Sequence, residues 1–186
     1  VKAYVKKLNT ERPAATAAAP AAQAAPLPDF TKYGEVEREA MSNVRRATAR
    51  QMGQAWTIPH VTNFDKADVT ELEKLRKRYA KQAEAVGGKL TVTAIILKIA
   101  AMALKKFPQF NASIDLANEE IIYKKYTHIG VAVDTERGLL VPVIRDVDQK
   151  GIIELAVELN EIAEKARARK IGLEDLEGGS FTITNL

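Results

Sequence analysis

Residues 126–147 read YTHIGVAVDTERGLLVPVIRDV. Two β-rich runs, 126–134 and 138–147, flank the turn-like Thr135-Glu136-Arg137-Gly138, and this spacing predicts a hairpin or two adjacent strands. A third β-rich run, EIIYKK at 120–125, precedes them. Downstream, Ile152, Leu155, Ala156, Leu159, Ile162, Ala163 and Ala166 recur at i, i+3, i+4 spacing and predict a helix over 152–170. Its last turn is basic, with Arg167, Arg169 and Lys170 complementing the helix dipole. Gly178-Gly179 then leads into SFTITNL, an alternating strand in which Phe181, Ile183 and Leu186 are the apolar members. Helices and strands mix without strict β-α-β alternation. That pattern predicts the α/β (α+β) class, with a mixed sheet and helices packed on one of its faces.

Working back from the hairpin, TAIILKIAAMALKKF predicts a helix capped by Thr91 or Thr93 and ended by Pro108. It is apolar nearly all round, so it is expected to be largely buried. Asp68 followed by Glu71 resembles a capping box, opening a helix that Gly87-Gly88 would stop. IPHVTNFDKADV (58–69) reads as a strand opened by Pro59, and 39–56 reads as a helix with Met41, Val44, Ala47, Ala49 and Met52 apolar.

The first 28 residues have a different composition. Residues 11–28 contain nine alanines and four prolines, and Pro13, Pro20, Pro26 and Pro28 recur too often for a helix to persist. The stretch reads as an extended, partly stiff linker, although a disordered leftover would have the same composition. Before it, Val1, Tyr4, Val5 and Leu8 lie on one helical face of a segment too short to hold a helix alone. This looks like the closing helix of a domain otherwise absent. Because SFTITNL stops without a turn or polar tail, the C-terminal domain is expected to be incomplete as well.

Composition excludes several functions. The 186 residues include 46% hydrophobic and 28% charged residues, a globular balance, and no apolar run is long enough to span a bilayer. Val1 to Leu8 is too short and too charged to read as a secretory signal. There are no cysteines and only two histidines, so disulfides, thiolate sites, a Cys nucleophile and a His-rich metal centre are not expected. Of the net charge of +4, residues 1–12 contribute +3, leaving a near-neutral body that does not predict nucleic-acid binding.

The phosphate-loop, dinucleotide and nucleophile-elbow motifs are missing. The basic cluster Lys74, Arg76, Lys77, Arg78 and Lys81 shares its helix with Glu71, Glu73 and Glu84, which favours a solvated face. His60 and His128 have no carboxylate or hydroxyl at triad-like local spacing, and each reads as a structural histidine. Trp56 reads as a core or interface anchor. Thr184 has a hydroxyl able to donate to a developing oxyanion, yet a strand threonine equally serves as a plain β-former.

Five segments taken together carry a family resemblance: DFTKYGEVE, IPHVTNFDKADVTELEKLRK, FPQFNASI, YTHIGVAVDTERGLLVPVIRDVDQKGI and GGSFTITNL. In this order they resemble the dihydrolipoyl acyltransferases of 2-oxo acid dehydrogenase complexes, most nearly the acetyl-transferring branch that serves pyruvate dehydrogenase. The resemblance divides the chain into a remnant of a peripheral subunit-binding domain (1–9), an Ala/Pro-rich linker (10–28) and a truncated acyltransferase catalytic domain (29–186). It implies a two-layer sandwich similar to chloramphenicol acetyltransferase, in homotrimers that build a cubic or icosahedral core. It further implies acetyl transfer from dihydrolipoyl lysine, on a domain not present here, to coenzyme A as co-substrate, without a metal.

The partners it implies are pyruvate dehydrogenase and dihydrolipoamide dehydrogenase, and the location a bacterial cytoplasm or mitochondrial matrix. By the same resemblance, Thr184 stands at the oxyanion-stabilising position of the F-T-[IV]-[ST]-[NS] strand, and Ser42, Arg45 and Lys170 stand where coenzyme A would be lined. The family's general-base histidine belongs to an H-x-x-x-D-G motif that these 186 residues do not contain, so the chain alone is expected to be inactive. A non-catalytic scaffold or assembly subunit of the same complex is the alternative.

Overall fold

The computed structural model describes residues 27–135 and 138–185. The expected N-terminal helix and most of the linker lie outside these residues. Contacts divide the chain into two units, 1–40 and 41–186. In the described part of the first, a single 3-10 turn at Phe30–Lys32 is capped by Asp29, whose carboxylate accepts from Thr31 N at 3.1 Å.

The second unit has four helices and seven short strands among its described residues. Helix α1 spans Asn43–Ala55, α2 Thr70–Glu84, α3 Val92–Lys106 and α4 Ile152–Arg167. Their ends follow from local chemistry. Ser42 Oγ accepts from Arg45 N at 3.3 Å to start α1, so this helix begins later than the expected residue 39. Asp68 Oδ1 accepts from both Thr70 N (2.9 Å) and Thr70 Oγ1 (2.6 Å) ahead of α2. Glu71 pairs with Lys74 at 2.7 Å, so the second half of the expected capping box does not form. Gly87 adopts a φ of 83°, and the Gly88 N–H reaches back to Ala83 O at 2.9 Å, ending α2 where the Gly-Gly pair predicts. Thr91 is the residue that caps α3, through Ala94 N at 3.2 Å. Gly151 N–H donates to Glu154 Oε2 at 3.3 Å at the start of α4. That helix stops at Arg167 instead of 170, because Arg169 turns into left-handed space at φ 61° and the Lys170 N–H bonds Lys165 O at 2.9 Å.

The expected hairpin is present but broken into two ladders. β3 (Ile129–Val131) pairs antiparallel with β6 (Val143–Ile144), and β4 (Val133–Thr135) with β5 (Gly138–Leu140). The break has a covalent cause: Pro142 has no N–H to donate, although its carbonyl still accepts from Val131 N at 2.9 Å. At the same point Ala132 N turns to Ile183 O, 3.0 Å away, on β7 (Phe181–Ile183). β7 lies parallel to β3, with Ile129 opposite Phe181 and Val131 opposite Ile183, so the order β6-β3-β7 makes the sheet mixed as expected. The middle strand favours glycine at position 130, since a Cβ there would lie 2.8 Å from Val141 Cγ1 and 3.3 Å from Thr182 Oγ1, which would have to shift. The EIIYKK run forms β2 (Glu120–Tyr123), whose partner β1 (Ala112–Asp115) the sequence reading did not identify.

The core joins α2, α3 and α4 to β3 and β6, with Leu97, Ile129, Ile144, Val147 and Leu155 fully enclosed. Three expectations fail in whole or in part. Only one side of α3 is buried (Ala94, Ile95, Leu97, Ala101, Leu104), while Ile96, Ile99 and Met102 stay open because α4 and the sheet cover a single face. Residues 58–69 form no strand, as Pro59 lacks a donor and no strand pairs with them, and Trp56, at 86% exposed, is not in the core, which leaves only the interface half of its reading. No described helix is long and apolar enough to cross a membrane.

Candidate active site

Thr184 directly follows β7 and is exposed. The preceding carbonyl, that of Ile183, is held by Ala132 N at 3.0 Å, and the following side chain, Asn185, donates through Nδ2 to Thr93 Oγ1 at 3.1 Å. Thr184 therefore sits where the parallel strand leaves the sheet and meets the first turn of α3. Beside Asn185 opens a cavity of about 420 Å³, lined among others by Thr91, the cap of α3, by Thr93 in its first turn, by Val131 to Asp134, and by Asn160 and Arg167 of α4. A second cavity of about 880 Å³ adjoins the first at Asp134 and Arg167, which line both. It is bounded by Val44 of α1, Thr135, Gly138 and Leu140 of the β4–β5 hairpin, and Ala166 to Arg169 and Ile171 at the end of α4.

Of the other residues singled out by sequence, Ser42 caps α1 and Arg45 is exposed one residue beyond Val44. Lys170 is exposed between the cavity-lining Arg169 and Ile171. None of the three lines the larger cavity, though each lies within two residues in sequence of one that does, and Thr184 likewise precedes Asn185, which lines the smaller one. Arg167 and Asp134, the charged residues that line both cavities, were not singled out as site residues from the sequence. Only the basic last turn of α4 gave any hint of Arg167, since bringing Asp134 to the same cavities depends on the fold.

The two histidines differ: His128 is hydrogen-bonded, whereas His60 has only a ring neighbour among the described residues. Asp146 N donates to His128 Nδ1 at 3.0 Å, which leaves Nε2 as the protonated ring nitrogen of the neutral form, and the ring packs on Tyr126 with centroids 4.6 Å apart. His60 is exposed, its ring 6.2 Å from that of Trp56. The basic face of α2 is solvated as expected, though Arg76 is also tied down: Nε and Nη2 grip Glu73 at 2.8 and 2.6 Å, and Nη1 reaches Leu90 O at 3.3 Å. The carboxylates held below their usual range, Asp68 by Thr70, Glu73 by Arg76 and Asp115 by Asn118, owe it to these local hydrogen bonds and line neither cavity. Among the described residues no group of three or more His, Cys, Asp or Glu is placed to hold a metal ion.

The mixed sheet is thus backed by helices, and Thr184 leaves the end of its parallel strand next to Asn185, which lines the smaller of two adjoining cavities. The chain belongs to the 2-oxoacid dehydrogenases acyltransferase (catalytic domain) family, whose model matches residues 33–186.

Among curated relatives, it is 48% identical over 159 residues to the dihydrolipoyllysine-residue acetyltransferase component of the pyruvate dehydrogenase complex of Azotobacter vinelandii, a match covering 85% of this chain and 25% of the relative. The corresponding component of Pseudomonas aeruginosa is 43% identical over 190 residues, covering 100% of this chain and 35% of the relative. The solved cubic core of a pyruvate dehydrogenase multienzyme complex superposes with a TM-score of 0.81 at 47% identity, over 87% of this chain and 67% of that one. The chain thus spans between a quarter and about a third of the two curated relatives.

Proposed function

We propose that the chain supplies the body of an acetyltransferase catalytic domain that passes an acetyl group from a dihydrolipoyl thioester to coenzyme A within a pyruvate dehydrogenase complex. The carrying observation is the place of Thr184, at the exit of a parallel strand and beside the smaller cavity, in a chain matched by the family model over residues 33–186. In the proposed reaction the coenzyme A thiol loses its proton to a base, and its sulfur attacks the acetyl carbonyl carbon. A new C–S bond forms as the carbonyl π pair moves onto oxygen, and the Thr184 hydroxyl donates to that oxyanion. Collapse breaks the C–S bond to the lipoyl sulfur, which leaves with the proton returned by the base. Neither His60 nor His128 is assigned that role, since the first lines neither cavity and the second has its Nδ1 committed to Asp146 N.

The larger cavity, with Arg167 and Arg169 on its wall and Ser42, Arg45 and Lys170 at its edge, is proposed to receive the anionic end of coenzyme A. By analogy with the cubic core neighbour, homotrimers assembling into a larger core are proposed, in the cytoplasm as for a bacterial enzyme complex. The lipoyl group that brings the acetyl to this site is proposed to be carried on another domain of the full-length protein, and the pyruvate dehydrogenase and dihydrolipoamide dehydrogenase partners to bind through the peripheral subunit-binding domain.

The test is Thr184→Ala in the full-length enzyme, assayed for acetyl transfer between dihydrolipoamide and coenzyme A. Loss of one oxyanion donor is expected to lower kcat by about 10²- to 10³-fold with little change in KM, and Thr184→Ser should restore most of it. An unchanged kcat would refute the assignment of Thr184. No turnover by the parent enzyme would favour the scaffold reading instead.

A further inference from the structure

We infer that Thr93, through Asn185, is a positioning residue that holds the Thr184 hydroxyl in its working place. The inference rests on the reading of Thr184 given above and deepens it. The ladder between β3 and β7 ends at Ile183, whose carbonyl accepts from Ala132 N at 3.0 Å. Beyond that bond the strand gives Thr184 no further support. The next fixed point is one residue later, where Asn185 Nδ2 donates to Thr93 Oγ1 at 3.1 Å across 92 residues of sequence. Thr184 is thereby bracketed, by the sheet on one side and by a helix on the other.

The helical end of this bracket is firmly rooted. Thr93 lies in the first turn of α3, where Thr91 Oγ1 caps Ala94 N at 3.2 Å, and Ala94, Ile95 and Leu97 are buried immediately behind it. Thr93 and Asn185 both line the smaller cavity, so the bond between them forms part of the wall next to the proposed oxyanion site. An exposed hydrogen bond of this kind adds little to global stability. Its effect is local: it limits the directions in which the residue between Ile183 and Asn185 can aim its side chain.

Thr93→Val keeps the β-branched shape at this helix position and removes the hydroxyl acceptor. In the full-length enzyme it is expected to lower kcat about tenfold, the equivalent of one lost hydrogen bond. KM for both substrates should stay within about twofold, as for a group acting only on the transition state. Thr93→Ser, which keeps the acceptor, should retain parental kcat. Asn185→Ala should match Thr93→Val, and the double variant should be no worse than either single one, because both break the same bond.

A Thr93→Val kcat within twofold of the parent, alongside a collapse in Thr184→Ala, would overturn the positioning role while leaving Thr184 in place. Losses that multiply in the double variant, or a Thr93→Ser enzyme as slow as Thr93→Val, would overturn it equally. If Thr184→Ala itself leaves kcat unchanged, both assignments fall.

Discussion

Gly88 is the position where a single methyl group tests the packing of the helical layer most directly. A Cβ built there would lie 2.8 Å from Val157 Cγ2, 3.0 Å from Val157 N and 3.2 Å from Val157 Cα. Comfortable carbon–carbon contacts lie at about 3.5–4.0 Å. Two of the three atoms belong to the backbone of α4, so no rotamer change relieves the clash. α4 cannot easily retreat either, because Leu155 and Ala156 on the same helix are fully enclosed. Overpacking of this kind costs about 1–3 kcal/mol.

One effect opposes it. Gly88 is not among the glycines with positive φ, so alanine should find its backbone acceptable and should restrict the unfolded chain, a gain of about 0.4–1 kcal/mol. The clash should win, leaving Gly88→Ala destabilised by about 1–2 kcal/mol, or about 2–8 °C in unfolding midpoint for a chain of this size. Gly53→Ala is the control, since Gly53 lies within α1 with nothing within 4 Å of its built Cβ, and helix propensity alone should stabilise it by about 0.5–1 kcal/mol. Urea unfolding followed by circular dichroism gives both numbers. A Gly88→Ala midpoint equal to or above the parent's would refute the claim that the α2–α3 connection rests directly on the α4 backbone.

Two further substitutions examine other parts of the fold. Lys98 Nζ donates to Asp148 O at 2.8 Å and Lys150 O at 2.7 Å, fastening the loop before α4 to the middle of α3. Lys98→Met should cost about 1.5–3 kcal/mol by urea titration and raise protease cutting in the 145–151 loop, and unchanged stability would show that the loop holds without it. Asp68 is held below the usual aspartate value by the Thr70 hydroxyl and N–H, so its contribution is complete above the unfolded-state value and is lost as pH falls through the lower folded-state value. The gap in urea midpoint between the parent and Asp68→Asn should therefore shrink through the acid range, whereas a gap independent of pH would contradict the cap.

Local features of this fold were legible in the sequence because their causes are local. The Thr91 cap, the Gly87-Gly88 stop and the apolar stripe of α4 each depend on residues within a turn or two. The failures lie where distant partners decide. Residues 58–69 alternate like a strand, but a strand also needs a neighbour, and none pairs with them. The apolar circumference of α3 suggested full burial, whereas packing covered one side only. β1 was missed because Ala112 to Asp115 becomes a strand only by pairing with Glu120 to Tyr123. In the candidate site, Thr184 was picked out through the family pattern. Its bond partners, Ala132 through Ile183 and Thr93 through Asn185, were out of reach of any local reading.

The parallel pairing of β7 with β3 has a consequence for the order in which the molecule comes together and comes apart. Ser180 N meets His128 O at 2.8 Å across a separation of 52 residues, so this contact closes a far longer loop than the β4–β5 hairpin. β7 is only three residues long and mostly exposed, which places it among the segments easiest to detach by a partial opening. Such an opening would carry Thr184 away from the cavity while α3 and α4 remained packed. Loss of the candidate site would then precede loss of helical signal on heating, making a function-dependent readout an earlier alarm than circular dichroism.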